Sequence, residues 1–292
     1  MQARPDILVL GGGGRQGDAW MTGVLAGLED ARSIDFAKCD YLVGTSAGSI
    51  VAAKLISGRR LKRPAAEIAA ADPDAGGERP PLAETLAEAA LRLAAPLAGA
   101  GLRLGALPGE LARSTALALM PSSGRETLDF TTAFPPDTTR FDGRLRVVAV
   151  DRRAGKRVVF GAPGAPEATV AEAVRASCAL PFVFGAALIG GREYVDGATW
   201  TPTNADAAPA AQGAQVLILA PMASLHGPFV AALRAASRTA MLLEVAALRA
   251  RGAQVRTVTP DRASAAAIGA DLMADKGLDD THAAGYAQGL GL

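Results

Sequence analysis

Ser46 stands in the five-residue pattern Gly-Thr-Ser-Ala-Gly at residues 44–48, a composition that suits a catalytic nucleophile. The apolar residues 41–43 before it are typical of a strand, and the apolar residues that recur across positions 50–56 are typical of a helix. Small neighbours at such a strand-to-helix turn lift a serine to the head of the helix with its hydroxyl exposed. A plain Gly/Ser turn explains the same letters. The strand before and the helix after favour a nucleophile for acyl transfer.

A nucleophilic serine needs N–H donors for the oxyanion of its tetrahedral intermediate, and a glycine-rich turn upstream can supply them. It follows the apolar residues 7–10 and consists of Gly11, Gly12, Gly13 and Gly14. The pattern Gly12-x-Gly14-x-x-Gly17 also fits a dinucleotide-binding turn, which needs an acid about 20 residues later at the end of a second strand. Asp35 and Asp40 lie at the wrong end of that strand. We therefore expect an oxyanion hole, formed where two parallel neighbouring strands end at one edge of a sheet.

The serine also needs a base, and Asp196 in the segment Tyr-Val-Asp-Gly-Ala ends an apolar stretch beside glycine. Asp-Gly is foremost a turn signal, so the triplet acquires weight only from the other motifs. Ser46, Asp196 and His226 also occur in the chain order of a Ser-Asp-His triad, which makes a histidine-dependent mechanism the chemical rival. The other histidine, His282, is expected in a C-terminal loop.

Composition limits the class of protein. Half of the 292 residues are hydrophobic, which predicts one large domain over residues 1–292, and the formal charge of +1 offers no general field for nucleic acid. Cys39 and Cys178 match no metal or disulfide spacing, and we expect neither a metal nor a cofactor. The short apolar stretch before the glycines resembles no signal peptide, and no run is long enough to span a bilayer. These features predict a soluble, cytoplasmic protein.

Strand-like and helix-like segments alternate at both ends of the chain, which predicts an α/β fold with a mostly parallel sheet and helices on both faces. Between about residues 59 and 141 the sequence is rich in Ala and Leu and shows no strand signal, so we expect a helical insertion, either a layer of the core or a cap over the site. The predicted strands cover residues 7–10, 41–43, 145–150, 157–160, 216–219 and 255–258, and helices are expected at 170–178 and 229–249.

Four motifs occur in one order: the glycine turn, GTSAGS at residues 44–49, ASCALPFVF at 176–184 and DGA at 196–198. In this order they resemble the patatin-like phospholipases and acyl hydrolases. The resemblance implies a three-layer α/β sandwich and calcium-independent hydrolysis of the acyl esters of lipids. It makes Ser46 the nucleophile, Asp196 its partner in a dyad without histidine, and Gly11 to Gly14 the oxyanion loop. The residues expected to support this site are Arg15, Gly44, Gly48 and Gly197.

The sequence departs from the family at one place in the loop. The family has Arg or Lys immediately before the last glycine, whereas this chain has Gln16 there and its basic residue, Arg15, one position earlier. The expected partner is an acyl-ester lipid, with peripheral contact at a membrane. Two alternatives stay open: an esterase or thioesterase for soluble acyl substrates, and a lipid-binding relative with weak catalysis.

Overall fold

A computed structural model of the chain describes residues 4–65, 115, 117, 140–181, 183–224 and 231–292. The strands of this part are β1 (Ile7–Leu10), β2 (Tyr41–Thr45), β3 (Leu145–Asp151), β4 (Lys156–Phe160), β5 (Ala187–Ile189), β6 (Arg192–Asp196), β7 (Gln215–Leu219) and β8 (Gln254–Val258). Its helices are α1 (Gly14–Arg32), α2 (Ala47–Ile56), α3 (Val170–Ser177), α4 (Ala231–Ala250), α5 (Arg262–Ile268) and α6 (Leu278–Leu290). Short 3-10 turns occupy Phe36–Lys38, Gly197–Thr199, Ala205–Ala207 and Pro221–Ser224.

One sheet connects all of these strands. Strands β3, β2, β1, β7 and β8 are neighbours in that order and run parallel, while β4 and β6 pair antiparallel with β3, and β5 pairs antiparallel with β6. The predicted α/β class with a mostly parallel sheet is confirmed.

Helices cover both faces of the sheet. Successive residues of a strand point to opposite faces, so each face of the sheet presents its own set of apolar side chains. Leu8 and Leu42 face one core, which also contains apolar residues of α1, α2 and α3. Ile7, Val9 and Val43 face a second core, to which α4 contributes. The chain therefore forms three layers, helices, sheet and helices.

Strand β3 places the ends of β2 and β6 against each other. Val148 pairs with Thr45 of β2, and the next residue, Ala149, pairs with Asp196 of β6. The other edge of β3 is taken by β4, so β2 and β6 share one edge and meet end to end. Since β2 runs parallel and β6 antiparallel to β3, their carboxyl ends meet. This register places Ser46 and Asp196 side by side although 150 residues separate them.

The C-terminal helix α6 packs closely along α1 through glycines. A Cβ atom at Gly23 would lie 2.2 Å from the His282 carbonyl oxygen, and one at Gly289 would lie 2.3 Å from the Val24 carbonyl oxygen. Only glycine permits this approach of two helix backbones. The prediction that His282 lies in a C-terminal loop is wrong, since His282 lies within α6. Glycines weaken the helical pattern in this part of the sequence, but in the structure they form the surface of α6 that packs against α1.

The predicted helical insertion at residues 59–141 lies almost entirely outside the described residues, as does His226. Of the insertion, residues 59–65, 115, 117 and 140–141 are described, and Leu117 is buried in a small cluster with Val150 and Val195. No helix of the described residues is long and apolar enough to cross a bilayer. Both cysteines are unpaired and buried.

Candidate active site

Ser46 occupies a strained turn between β2 and α2. Its φ of 51° and ψ of −123° lie in a region that residues with side chains rarely adopt. The turn is tight enough to need glycine on both sides: a Cβ at Gly44 would lie 2.4 Å from the Cα of Ser49, and one at Gly48 would lie 2.0 Å from the Leu10 carbonyl oxygen. Gly48 therefore lets the start of α2 press against the end of β1, which brings Ser46 next to the glycine turn.

The hydroxyl of Ser46 is directed at Asp196. Ser46 precedes the first residue of α2, where a serine hydroxyl usually accepts a hydrogen bond from the helix, yet it makes no such bond. Instead Oγ donates to Asp196 Oδ2 at 2.8 Å. The other carboxyl oxygen of Asp196 accepts the N–H of Ala198 at 2.8 Å, which fixes the plane of the carboxylate.

Asp196 is buried, with 2% of its surface exposed. Burial raises its pKa from an ordinary value of 3.8 to about 7, against the opposing effects of hydrogen bonds from the Ala198 N–H and the Ser46 hydroxyl. Loss of hydration dominates because a carboxylate is far better solvated by water than by the two donors found here. A carboxylate with a pKa near neutrality is a stronger proton acceptor than an exposed aspartate.

The glycine turn lies directly beside the serine, since a Cβ at Gly12 would be 3.5 Å from the Ser46 Cβ. Two of its four N–H groups already donate to carbonyl oxygens: Gly11 to Leu219 at 2.9 Å and Gly12 to Pro202 at 2.8 Å. The N–H groups of Gly13 and Gly14 have no partner among the described residues. The available donors are therefore at the start of α1, where the helix dipole also favours negative charge.

Ser177, at the end of α3, supports the Ser46 turn from behind. Its Oγ accepts the backbone N–H of Ser46 at 2.8 Å and donates to the Val148 carbonyl oxygen at 2.6 Å. This bond occupies the Ser46 N–H and links the turn to β3. Ser177 lies in the ASCALPFVF motif, but the letters alone gave no reason to assign it this contact.

Asn204 joins the Ser46 turn to the turn after Asp196 from the opposite side and was not singled out in the sequence. Its side-chain amide donates to the Thr45 hydroxyl at 3.2 Å and to the Gly197 carbonyl oxygen at 3.1 Å. Gly197 is itself held against β3, because a Cβ there would lie 2.3 Å from the Val148 carbonyl oxygen. A polar residue with positive φ, 50° in this case, is the structural signal that identifies such a position.

A second buried carboxyl group, Glu244 of α4, binds the loop that carries Asn204. It accepts hydrogen bonds from the Thr201 hydroxyl and from the Ala205 N–H. Burial raises its pKa to about 7, partly offset by these two bonds. Its contacts support the loop and do not reach Ser46.

The basic residue of the glycine turn points away from the site. Arg15 makes an ion pair with Asp275 at 2.6 Å, and both side chains are more than half exposed. Gln16 is buried and bonded to the C-terminal part of the chain. The structure thus separates the two residues at which the sequence departs from the family pattern.

Neither a metal cluster nor a histidine base is found in the described part of the chain. It contains no group of three or more His, Cys, Asp or Glu side chains that could hold a metal ion. His282 is buried in α6 and contacts the Lys62 carbonyl oxygen at 3.0 Å. Loss of hydration lowers the pKa of His282, and the ring does not contact Ser46 or Asp196.

A comparison with protein-family models identifies the family. The model for patatin-like phospholipase matches residues 8–209, which include the glycine turn, the Ser46 turn and Asp196. The chain belongs to the patatin-like phospholipase family. The family is one of hydrolases that act on lipid esters.

Solved structures show a more distant likeness. The crystal structure of VipD from Legionella pneumophila aligns over 100% of this chain and 66% of its own, with 13% sequence identity and a TM-score of 0.41. A comparison with curated proteins gave no match.

The family match ends before the last quarter of this patatin-like protein. Strands β7 and β8 and helices α4, α5 and α6 lie beyond residue 209. This part still reaches the site, since Leu219 binds Gly11 and residues 272–281 contact the start of α1.

Proposed function

We propose that the protein is a serine acyl hydrolase that cleaves the carboxylic esters of lipids, of the phospholipase A or lysophospholipase type. The observation that carries the proposal is the 2.8 Å hydrogen bond from the Ser46 hydroxyl to Asp196, a buried carboxyl group with a pKa of about 7. A serine in a strained strand-to-helix turn, bonded to such a base, is suited to attack an ester carbonyl.

In the proposed reaction Asp196 Oδ2 takes the hydroxyl proton as Ser46 Oγ attacks the ester carbonyl carbon. The tetrahedral intermediate collapses, the leaving alcohol receives the proton from Asp196, and an acyl-enzyme remains. Asp196 then takes a proton from water, whose oxygen attacks the acyl carbon. Collapse of the second intermediate returns the proton to Ser46 and releases the fatty acid.

The oxyanion in both steps is assigned to the N–H groups of Gly13 and Gly14. The partners of Gly11 and Gly12 support this choice, because an N–H group already bonded to a carbonyl oxygen cannot also stabilise the intermediate without losing that bond. Gly11 and Gly12 instead hold the turn against the ends of β7 and the Pro202 loop.

A dyad is preferred to a triad because both oxygens of Asp196 are already bonded, one to Ser46 and one to the Ala198 N–H. In a triad the carboxylate orients a histidine and the serine bonds the histidine. The direct serine–aspartate bond leaves a histidine no position between them. The reaction is proposed to need no calcium.

Labelling with a fluorophosphonate probe tests the nucleophile. We expect wild-type protein to be labelled and Ser46→Ala to be unlabelled, with turnover of phospholipid micelles unchanged by EDTA. Loss of turnover in EDTA with rescue by calcium would contradict the proposal. Folded wild-type protein that takes up no label would instead favour a lipid-binding relative.

The substrate class is tested by comparing kcat/KM for micellar phospholipid, a soluble short-chain ester and a soluble acyl thioester. A lipid hydrolase should favour the micellar substrate and should sediment with phospholipid vesicles, as expected for peripheral contact with a membrane. A preference for the soluble ester or thioester would identify the general esterase instead.

A further inference from the structure

Gln16 is bonded at every polar atom of its side chain to the C-terminal part of the chain. It is 1% exposed. Its amide nitrogen donates to the Ala274 carbonyl oxygen at 2.9 Å and to the Lys276 carbonyl oxygen at 3.0 Å, and its amide oxygen accepts the Thr281 hydroxyl at 2.6 Å. Residues 272–281, here named the clamp segment, therefore hold Gln16 by three bonds.

The clamp segment also touches the backbone of the glycine turn. The N–H of Gln16 donates to the Leu272 carbonyl oxygen at 3.1 Å. A Cβ at Gly14, whose φ is 60°, would lie 2.5 Å from that same oxygen and 2.9 Å from the Met273 Sδ. The segment thus lies directly against the residue whose N–H is assigned to the oxyanion.

These contacts decide which N–H groups at the start of α1 stay available. A helix leaves its first N–H groups without partners inside the helix. The Leu272 carbonyl takes that of Gln16, and the N–H groups of Gly13, Gly14 and Arg15 have no partner among the described residues. Gly14 has no side chain to restrict its backbone, so its orientation depends on what binds its neighbours.

We propose that Gln16 is a positioning residue: bonded to the clamp segment, it fixes the first turn of α1 and so orients the N–H groups of Gly13 and Gly14 for the oxyanion. The proposal rests on the hydrolase function proposed above. It assigns a catalytic purpose to a segment that lies beyond the family match and to the glutamine that stands where the family has a basic residue.

If Gln16 has a purely structural role, replacing it should lower the stability of the protein and nothing else. If it positions the oxyanion donors, replacing it should also lower kcat in protein that is fully folded. The variant is Gln16→Met, which keeps the length of the side chain and removes its three hydrogen bonds. The matched control is Tyr286→Phe, which lies outside the clamp segment, removes the exposed hydroxyl hydrogen bond from α6 to Asp30 of α1 and leaves the buried bonds of Gln16 intact.

We expect folded Gln16→Met to lose at least about tenfold in kcat, with KM within about twofold of wild type. A misplaced donor should lose part of the hundredfold or more that accompanies removal of a whole oxyanion donor. Binding of an alkyl boronic acid, whose tetrahedral adduct on Ser46 uses the same donors, should weaken by a similar factor. Tyr286→Phe should stay within about twofold in all three measurements.

Hydrogen exchange separates this proposal from the hydrolase function, because it needs no turnover. Peptides covering residues 11–20 should exchange faster in Gln16→Met than in wild type, and peptides from β7 should not. If exchange is faster in Gln16→Met but the wild-type protein is inactive, the contact between Gln16 and the clamp segment is supported and the hydrolase function is rejected. If the wild-type protein is active and Gln16→Met changes neither exchange nor kcat, the proposal that Gln16 is a positioning residue is rejected.

A second variant covers the case in which Gln16→Met does not fold. Thr281→Val keeps the volume of a fully buried side chain and removes only the hydroxyl that binds Gln16. We expect a two- to fivefold loss in kcat and the same exchange change, smaller in extent. A folded Thr281→Val with kcat and exchange equal to wild type would refute the proposal.

Discussion

Replacing Asp196 by asparagine should abolish hydrolysis and at the same time stabilise the fold at alkaline pH. The substitution is nearly isosteric, but an amide cannot accept the Ser46 proton. Burial raises the pKa of Asp196 from 3.8 to about 7, so the folded protein binds this proton more tightly than the unfolded chain does. The stabilising contribution is therefore full below pH 3.8 and is lost as the pH rises through 7.

The size of the effect follows from the pKa shift at about 1.4 kcal/mol per unit. Because Asp196 ionises more readily in the unfolded chain than in the fold, its titration lowers the free energy of unfolding by about 4 kcal/mol at pH 9 and by about 1.7 kcal/mol at pH 5, relative to a group that stays neutral. The difference in unfolding free energy between Asp196→Asn and wild type should thus move by about 3 kcal/mol in favour of the variant between these pH values.

Denaturant unfolding of both proteins at pH 5 and pH 9 measures this change, and turnover of an acyl ester measures the loss of the base. The hydrogen bonds to Asp196 are stronger to the carboxylate than to the carboxylic acid, and the pKa of about 7 already includes that difference. Glu244, whose pKa is also about 7, is present in both proteins. Asp261→Asn is the control, because it alters an aspartate that caps α5 and retains a good capping residue.

Two results would refute this reasoning. A pH-dependent change under 1 kcal/mol would mean that Asp196 has no raised pKa, and activity above a tenth of wild type would mean that it is not the base. In wild type we expect kcat/KM to rise tenfold per pH unit up to about 7 and to level off above, since only the carboxylate accepts the proton.

Three further predictions concern the support of the site and the histidines. Ser177→Ala leaves the Ser46 N–H and a strand carbonyl without their partner, so unfolding free energy should fall by about 1–3 kcal/mol and kcat should fall with it. Gly23→Ala places a methyl group 2.2 Å from a backbone oxygen of α6 and should destabilise the fold by about 3 kcal/mol in denaturant unfolding; a loss below 0.5 kcal/mol would reject the close packing. His282→Ala and His226→Ala should keep near wild-type turnover per folded molecule, whereas a loss of about a hundredfold in His226→Ala would restore the triad.

Local sequence is enough to locate β1, β2 and the turns that follow them. An apolar run followed directly by glycines is typical of a strand that ends in a turn. The contacts that require Gly44 and Gly48 lie within a few residues of Ser46 or at the end of the neighbouring strand. The alternation of strands and helices also determines the mostly parallel sheet, because parallel neighbours need long crossovers. These features depend on short-range physics and on the family pattern, and both can be read from the letters.

The position of Asp196 is different, because its distance from Ser46 follows from a register. Strand β3 pairs first with β2 and then with β6, and a shift of one pairing would move the carboxylate away from the hydroxyl. Its pKa likewise depends on how completely the surrounding layers exclude water. The sequence indicated which residue is the candidate base, and tertiary packing decided that the pKa of this carboxyl group lies near neutrality.

Tertiary structure alone also determined which of the four glycines have an N–H group without a partner and what the side chain of Gln16 binds. The carbonyl groups that occupy Gly11 and Gly12 come from residues about 190–210 positions away, and those that hold Gln16 come from the clamp segment, about 260 positions away. Helix α6 holds that segment in place because its glycines allow close packing against α1. In a sequence the same glycines lower the predicted helix propensity. Hydrogen bonds between backbone groups carry no letter code, so which amide remains available for chemistry is decided only when the chain has folded.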